Sequence, residues 1–421
     1  MKRSIILLAL VSSGIFQFAH ASKYKFDPKG FAFLSHSEKK VSLQTFLDRP
    51  EDTLVLPAAL GGYSTGPLYL RRNHVVLILL PGVELRAAPG AFPRPKKDCL
   101  LTLTSVEDAT LIGYGARLVM RKEEYLTGEW RHALKLLGCK RVHIQGFGID
   151  SSGGDGIYIG SLISSGRHAS EDIRIEDCTL RGHRRQGISV ISVRGLRMSR
   201  STLEGTQGTP PECGIDFEPD GATESLHDIV VRDCIFKGNT NHGALVWLGK
   251  LKSSSDPVSI VFDSCRFLES IGGAGMQLSG FRDKGIRGQI RFRKCLWSDN
   301  ANQDLVVLDK SPNGLDLVLD TCLIRHKIGK MSPKERLPKA VFAFGRNEGD
   351  WIVGGIISHG LRIEKDVGVP LFRDWSDKHT RFKNISLDVD STTDDSQSWS
   401  EIRKELPQGV NLTLGHSSGA L

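Results

Sequence analysis

A short pattern recurs along the middle of the chain and limits what it can fold into more than any other feature. Apolar residues alternate with polar ones, and a polar residue then precedes Cys or Ser. It reads Ile173-Arg174-Ile175-Glu176-Asp177-Cys178, Leu196-Arg197-Met198-Ser199-Arg200-Ser201, Ile229-Val230-Val231-Arg232-Asp233-Cys234, Ile260-Val261-Phe262-Asp263-Ser264-Cys265, Ile290-Arg291-Phe292-Arg293-Lys294-Cys295 and Leu317-Val318-Leu319-Asp320-Thr321-Cys322. Successive copies begin 23, 33, 31, 30 and 27 residues apart, and Val142-His143-Ile144 is an earlier one. Such a period means one repeated unit that buries its apolar face only by stacking on its neighbours. The two-residue alternation makes that unit a strand.

A second strand follows about ten residues later in the repeat. Its copies are Gly156-Ile157-Tyr158-Ile159, Gly187-Ile188-Ser189-Val190, Gly214-Ile215-Asp216-Phe217, Gly243-Ala244-Leu245-Val246 and Gly275-Met276-Gln277-Leu278. Two or three short strands per turn, with Gly and Asn at the corners, predict an all-β chain coiled into a right-handed parallel β-helix. No helix-length amphipathic pattern interrupts residues 130–330.

Lys2 and Arg3, the apolar run Ile5 to Val11 and Ala19-His20-Ala21 have the form of a secretory signal peptide over residues 1–21. The run is too short to span a bilayer comfortably, so a secreted or periplasmic protein without a membrane span is expected. Loss of that segment takes the net charge from +8 to +6. A moderately basic exported chain suits an acidic partner such as a uronate or sulfated glycan, and equally a generally solvated surface.

Eight cysteines in an exported chain raise the question of disulfides. Cys178, Cys234, Cys265, Cys295 and Cys322, however, share one repeat position. Stacked strands lie about 4.8 Å apart, wider at Cβ than a disulfide prefers. A buried ladder of small apolar thiols is therefore expected, and no Cys/His spacing suits zinc.

Residues 22–95 read as an N-terminal cap with the first strands, including a short helix near Val41 to Leu47 that would plug the open end. Residues 96–388 read as the parallel β-helix, with Leu111-Ile112-Gly113-Tyr114-Gly115-Ala116 starting the coil proper. Residues 121–131, 161–171, 205–213, 249–257 and 326–340 read as loops, and 389–421 as a loose polar tail.

These features resemble the pectate-lyase-like superfamily of right-handed parallel β-helix proteins over about residues 40–380. The motifs are Leu56-Pro57, Ile112-Gly113-Tyr114-Gly115, the Cys-ended strands and Gly154-Asp155-Gly156-Ile157-Tyr158-Ile159. The resemblance implies a carbohydrate-active protein. Its members include polysaccharide lyases, glycoside hydrolases, uronan epimerases and non-catalytic adhesins, so fold alone leaves the reaction open.

Alternation in the second strand separates inward from outward residues. Ile157, Ile188, Ile215, Ala244 and Met276 should point in. Tyr158, Ser189, Asp216, Gln277 and Trp247 should point out, with Glu218 on the Asp216 face. The turns entering these strands add Asp155, His183, Arg184, Arg185 and His242. Flat rings suit pyranose faces, and Arg pairs bidentately with carboxylate or sulfate. Residues i and i+2 on a strand lie about 6.5–7 Å apart. That puts Asp216 and Glu218 near the low end of the inverting-glycosidase range, with Asp155 two rungs off, roughly 9.6 Å away.

The expected catalytic groups are Asp216, Glu218, Asp155 and His242. Arg184, Arg185, His183, Tyr158, Trp247 and Gln277 would hold substrate. The expected activity is hydrolysis of an anionic polysaccharide by a monomer, with no nucleic acid partner. A uronate lyase and a non-catalytic glycan-binding or adhesion protein are the alternatives. No cofactor is required by this reading, though the acid cluster would also suit Ca²⁺, which prefers several oxygens.

Gly154-Asp155-Gly156 and Asn241-His242-Gly243 only partly echo the polygalacturonase-like signature. Arg185-Gln186 stands where that signature has two Asp, and the Asp-Pro-His of mannuronan epimerases is missing.

Overall fold

A computed structural model describes residues 31–33, 42–126, 129–281, 285–326, 340–346, 352–365, 369–375, 380–390, 406 and 408–415. The expected signal peptide and nearly all of the 326–340 loop lie outside these residues.

Three strands make each turn of the coil. One turn runs Val193–Ser199, then Thr202–Glu204, then Cys213–Phe217. Each strand pairs in parallel with its counterpart one turn earlier and one turn later. The third strands form one sheet of 11, from Leu68–Leu70 to Phe372–Asp374. The first and second sets join into a sheet of 24, because the long strand Ile352–Lys365 pairs with both.

The residue before each ladder cysteine makes the corner between first and second strands. Asp177, Arg200, Asp233, Ser264, Lys294 and Thr321 all sit in the left-handed region, with φ between 48° and 56°. One such residue bends the chain while ladder hydrogen bonds continue on both sides, as from Asp233 N–H to the Asp263 carbonyl. The polar-then-Cys pattern is thus a corner followed by a side chain that drops into the core. All eight cysteines are buried and unbridged, as the ladder spacing predicts.

Glycine opens the third strand for a different reason, which is close approach. A Cβ on Gly187 would lie 2.4 Å from the Gly214 carbonyl oxygen, and one on Gly214 would lie 2.6 Å from that of Gly243. Any larger residue would wedge the rungs apart.

The core is one continuous column of Ile, Leu, Val and Phe. Ile157, Ile188, Ile215, Ala244 and Met276 are fully buried, as alternation predicts. Further along, Phe236, Phe267 and Trp297 stack face to face, with centroids 5.0 and 5.2 Å apart. The helix Leu43–Leu47 closes the N-terminal end. Ser42 caps it by accepting the Thr45 N–H, and Phe46 is fully buried over the first rungs.

The structure moves two boundaries. The coil is already under way at Thr53–Leu56, which pairs with Val75–Leu79, so it begins well before Leu111. The polar tail is not wholly loose, since Val410–Gly415 adds a parallel strand to Arg381–Asp390.

Candidate active site

The 11-stranded sheet carries its outward side chains in rows, because the register is continuous. One row runs Tyr69, Thr102, Lys135, Tyr158, Ser189, Asp216, Leu245, Gln277 and Val306. It is polar as far as Asp216. At the far end it turns apolar, where Val306 and Ala343 are buried in a small separate cluster.

Asp216 is the centre of the polar stretch. It is 1% exposed, and its Oδ2 accepts a 2.7 Å hydrogen bond from Gln186 Nε2. Gln186 is itself fully buried and accepts the Cys213 N–H. Glu218 lies within hydrogen-bonding reach of Asp216. Two ionised carboxylates cannot bond to each other, and Asp216 Oδ1 has no donor. A proton between them resolves both problems. Burial first, and the neighbouring Glu218 charge second, push the Asp216 pKa well above the usual carboxylate range. The pair is therefore closer than the 6.5–7 Å expected from strand spacing, with Asp216 held toward its neutral form.

Arg185 closes this group from the side. Its Nη2 donates to Glu218 Oε2 at 3.2 Å. Burial opposes its charge, but Asp155, Asp216, Glu129 and Glu218 outweigh that and raise its pKa.

Asp155 enters from two rungs away. It is fully buried, and neither carboxylate oxygen has a hydrogen-bond partner, although Oδ2 lies 3.2 Å from His132 Nδ1. Its backbone N–H donates to His132 Nδ1 at 3.1 Å, and His132 Nε2 is buried and unpartnered. The His132 ring stacks on Tyr158 with centroids 4.8 Å apart, and Lys135 Nζ lies 5.7 Å from the centre of the Tyr158 ring. Burial, with Asp220, Asp155 and Glu224 nearby, pushes the Tyr158 pKa up. Glu224 accepts from Ser161 Oγ and from the backbone N–H of Gly221, which fixes the turn carrying Asp220.

Other expected site residues point elsewhere. His183 is fully buried beneath Gly156, with Nδ1 2.8 Å from Ser152 Oγ, and burial lowers its pKa to about 3. It is a neutral core group and cannot hold a substrate in this conformation. Arg184 diverges from Arg185. Its Nη2 donates to the Lys122 carbonyl and its stem covers Gly208, so it ties two loops together. His242 has Nδ1 committed to the Ala274 N–H, and burial lowers its pKa to about 4. It stays neutral one rung beyond Asp216 and is a poor proton carrier near neutral pH. The Trp247 ring is folded across Gly249 and Gly280 of the adjoining loops. Its outward position is thus covered by the chain itself. Gln277 is half-buried at the apolar end of the row.

Thr102, His132, Lys135 and Gln186 carry functional groups here that the motifs passed over. The signal for two of them was present as Leu101-Thr102-Leu103 and Leu134-Lys135-Leu136, alternating strands that lack the leading glycine.

A cavity of about 600 Å³ lies apart from this cluster, among Gly138, Arg167, His168, Arg194, Ala222 and Asp256. Its two arginines are already paired, Arg167 with Glu107 at 2.8 Å and Arg194 with Asp256 at 2.6 Å. Among the described residues, no group of three or more His, Cys, Asp or Glu side chains is placed to hold a metal ion, so the geometry gives the Ca²⁺ expectation no support.

No protein-family model matches the chain. A curated protein of Bacillus subtilis (strain 168), described as uncharacterized protein YclG, is 30% identical over 215 residues. That match spans 46% of this chain and 36% of the relative, so about two thirds of the relative lies outside it. Among solved structures, the Dettilon tailspike protein aligns with a TM-score of 0.55 at 10% identity, covering 97% of this chain and 73% of that one. The catalytic domain of a GH87 alpha-1,3-glucanase in complex with nigerose aligns at 0.50 and 10% identity, covering 85% and 69%. Endo-xylogalacturonan hydrolase from Aspergillus tubingensis aligns at 0.50 and 12% identity, covering 87% and 92%. These likenesses show the fold, a right-handed parallel β-helix. No helix among the described residues is long and apolar enough to cross a membrane.

Proposed function

We propose that this chain is an exported glycoside hydrolase acting on a polysaccharide. Asp216, held toward its protonated form beside Glu218, is the general acid, and Asp155 is the base that activates water. One observation carries this reading. Seven buried polar atoms without partners lie in one patch: Thr102 Oγ1, His132 Nε2, Asp155 Oδ1 and Oδ2, Arg185 Nε, Ser189 Oγ and Asp216 Oδ1. Each such group costs about 1–3 kcal/mol if nothing meets it, so a patch of them is a place kept for water and ligand. Acid and base then stand two rungs apart. That is roughly 9.6 Å along the coil axis, which leaves room for a water between them and favours inversion of the anomeric centre.

The solved structures lend support of a weaker kind. The glucanase and the xylogalacturonan hydrolase, by their names, cleave polysaccharides on this scaffold. A uronate lyase fits less well, because its cation would be Arg185, whose charge is already engaged by Glu218. A non-catalytic glycan-binding protein is favoured by one fact, the near-complete burial of Asp155 and Asp216. Incubation with a polysaccharide panel separates the three. The hydrolase produces new reducing ends, of inverted configuration by proton NMR at early times, with no unsaturated uronate absorbance. Absorbance growth means a lyase, and polymer retention without cleavage means a binding protein.

A further inference from the structure

The reading above leaves the sugar class open, and the chain's basic charge of +8 suggests an acidic glycan. The local chemistry points the other way. Of the orphaned atoms, Asp155 Oδ1 and Oδ2 can only accept hydrogen bonds while ionised, and Thr102 Oγ1 and Ser189 Oγ can accept as well as donate. The donors left over are His132 Nε2 and Arg185 Nε. A uronate or sulfate brings only acceptors, so it would set oxygen against oxygen at Asp155 and leave the buried carboxylate unmet. Hydroxyl groups donate and accept, and ammonium groups donate.

The field has the same sign. Glu129, Asp155, Asp216 and Glu218 act on Arg185, and Asp220 and Glu224 act on the adjacent Tyr158. Against these six acids stand Arg185, Lys135 over Tyr158 and Lys250 near Asp220. A proton on Asp216 still leaves the acids in surplus. Moreover, Arg185 spends one nitrogen on Glu218, so a substrate anion would have to compete with that carboxylate for its charge.

We infer that the sugar seated between Asp155 and Asp216 presents hydroxyl or ammonium donors and carries no carboxylate or sulfate. This rests on the polysaccharide reading of the same site, and the following experiment tells the two apart.

The purified protein is run in native gels containing polygalacturonate, alginate or a sulfated galactan, each beside its carboxyl-reduced or desulfated form, and neutral glucans and chitosan. Reducing ends are measured in parallel. The expected result is retention or cleavage at least about tenfold stronger for the uncharged or amine-bearing member of a pair, about 1.4 kcal/mol. Asp155→Asn should narrow that ratio, because the amide nitrogen can donate to an anion. Stronger retention or cleavage of an anionic member overturns the inference, as does failure of every neutral and amine-bearing polymer to be held. Retention of neutral polymers with no new reducing ends upholds it and overturns only the hydrolase assignment.

Discussion

Asp216→Asn should reduce polysaccharide hydrolysis roughly a thousandfold, about 4 kcal/mol in the barrier, while leaving the protein folded and slightly more stable at neutral pH. The asparagine oxygen can still accept from Gln186 Nε2, and its NH₂ can donate to Glu218 as the protonated Asp216 carboxyl would. Only the capacity to release a proton is lost. The stability arm has a definite sign. Folded Asp216 holds its proton above the unfolded value of 3.8, so its contribution is complete below that pH and is lost as pH rises through the raised folded value. The variant has no such loss. Its melting temperature should match that of the wild type near pH 3 to 4 and exceed it progressively at higher pH. Equal turnover in the two proteins on a substrate that the wild type cleaves would remove Asp216 from the mechanism.

Trp297→Ala should be the most damaging single core change, costing about 3–5 kcal/mol. Trp297 is fully buried, stacks on Phe267 and meets Phe292 edge-on with centroids 5.3 Å apart. Its ring also lies against Gly275, where a Cβ would come within 2.8 Å. The hole would therefore open beside the glycine ladder as well as inside the aromatic stack. Trp297→Phe should be far milder, since the indole nitrogen has no partner to lose. Urea unfolding of both variants measures the difference. A cost near 1 kcal/mol for Trp297→Ala would mean that the rungs collapse around the gap and the stack contributes little.

How far the sequence could be read depends on what fixes each side chain. Ile157, Ile188 and Ile215 were legible because strand alternation alone sends them inward. The thiol column was legible because equal repeat positions become neighbours in a coil. His183, Arg184 and Arg185 were not separable, because they occupy a turn, where backbone angles rather than a two-residue period decide direction. One of the three goes into the core, one to a loop carbonyl and one to the acids. Trp247 was read as exposed, but its ring rests on Gly249 and on Gly280, which alternation cannot place. Asp216 and Glu218 came closer than their backbone spacing because side-chain torsions, which alternation does not fix, turn them toward each other. His132 escaped notice because its rung lacks the glycine that marks the others.

The sealed thiol column has a consequence for handling and for maturation. Burial raises the Cys178 pKa to about 12 and those of Cys99 and Cys139 to about 11, which suppresses the thiolate at these three, and all eight thiols are out of reach of reagents in the folded coil. Such a protein should mature without an oxidant or a disulfide isomerase, and dithiothreitol should leave its melting point unchanged. Iodoacetamide labelling of the native protein should then wait on rupture of whole turns, so that alkylation rate becomes a clock for how often the coil comes apart.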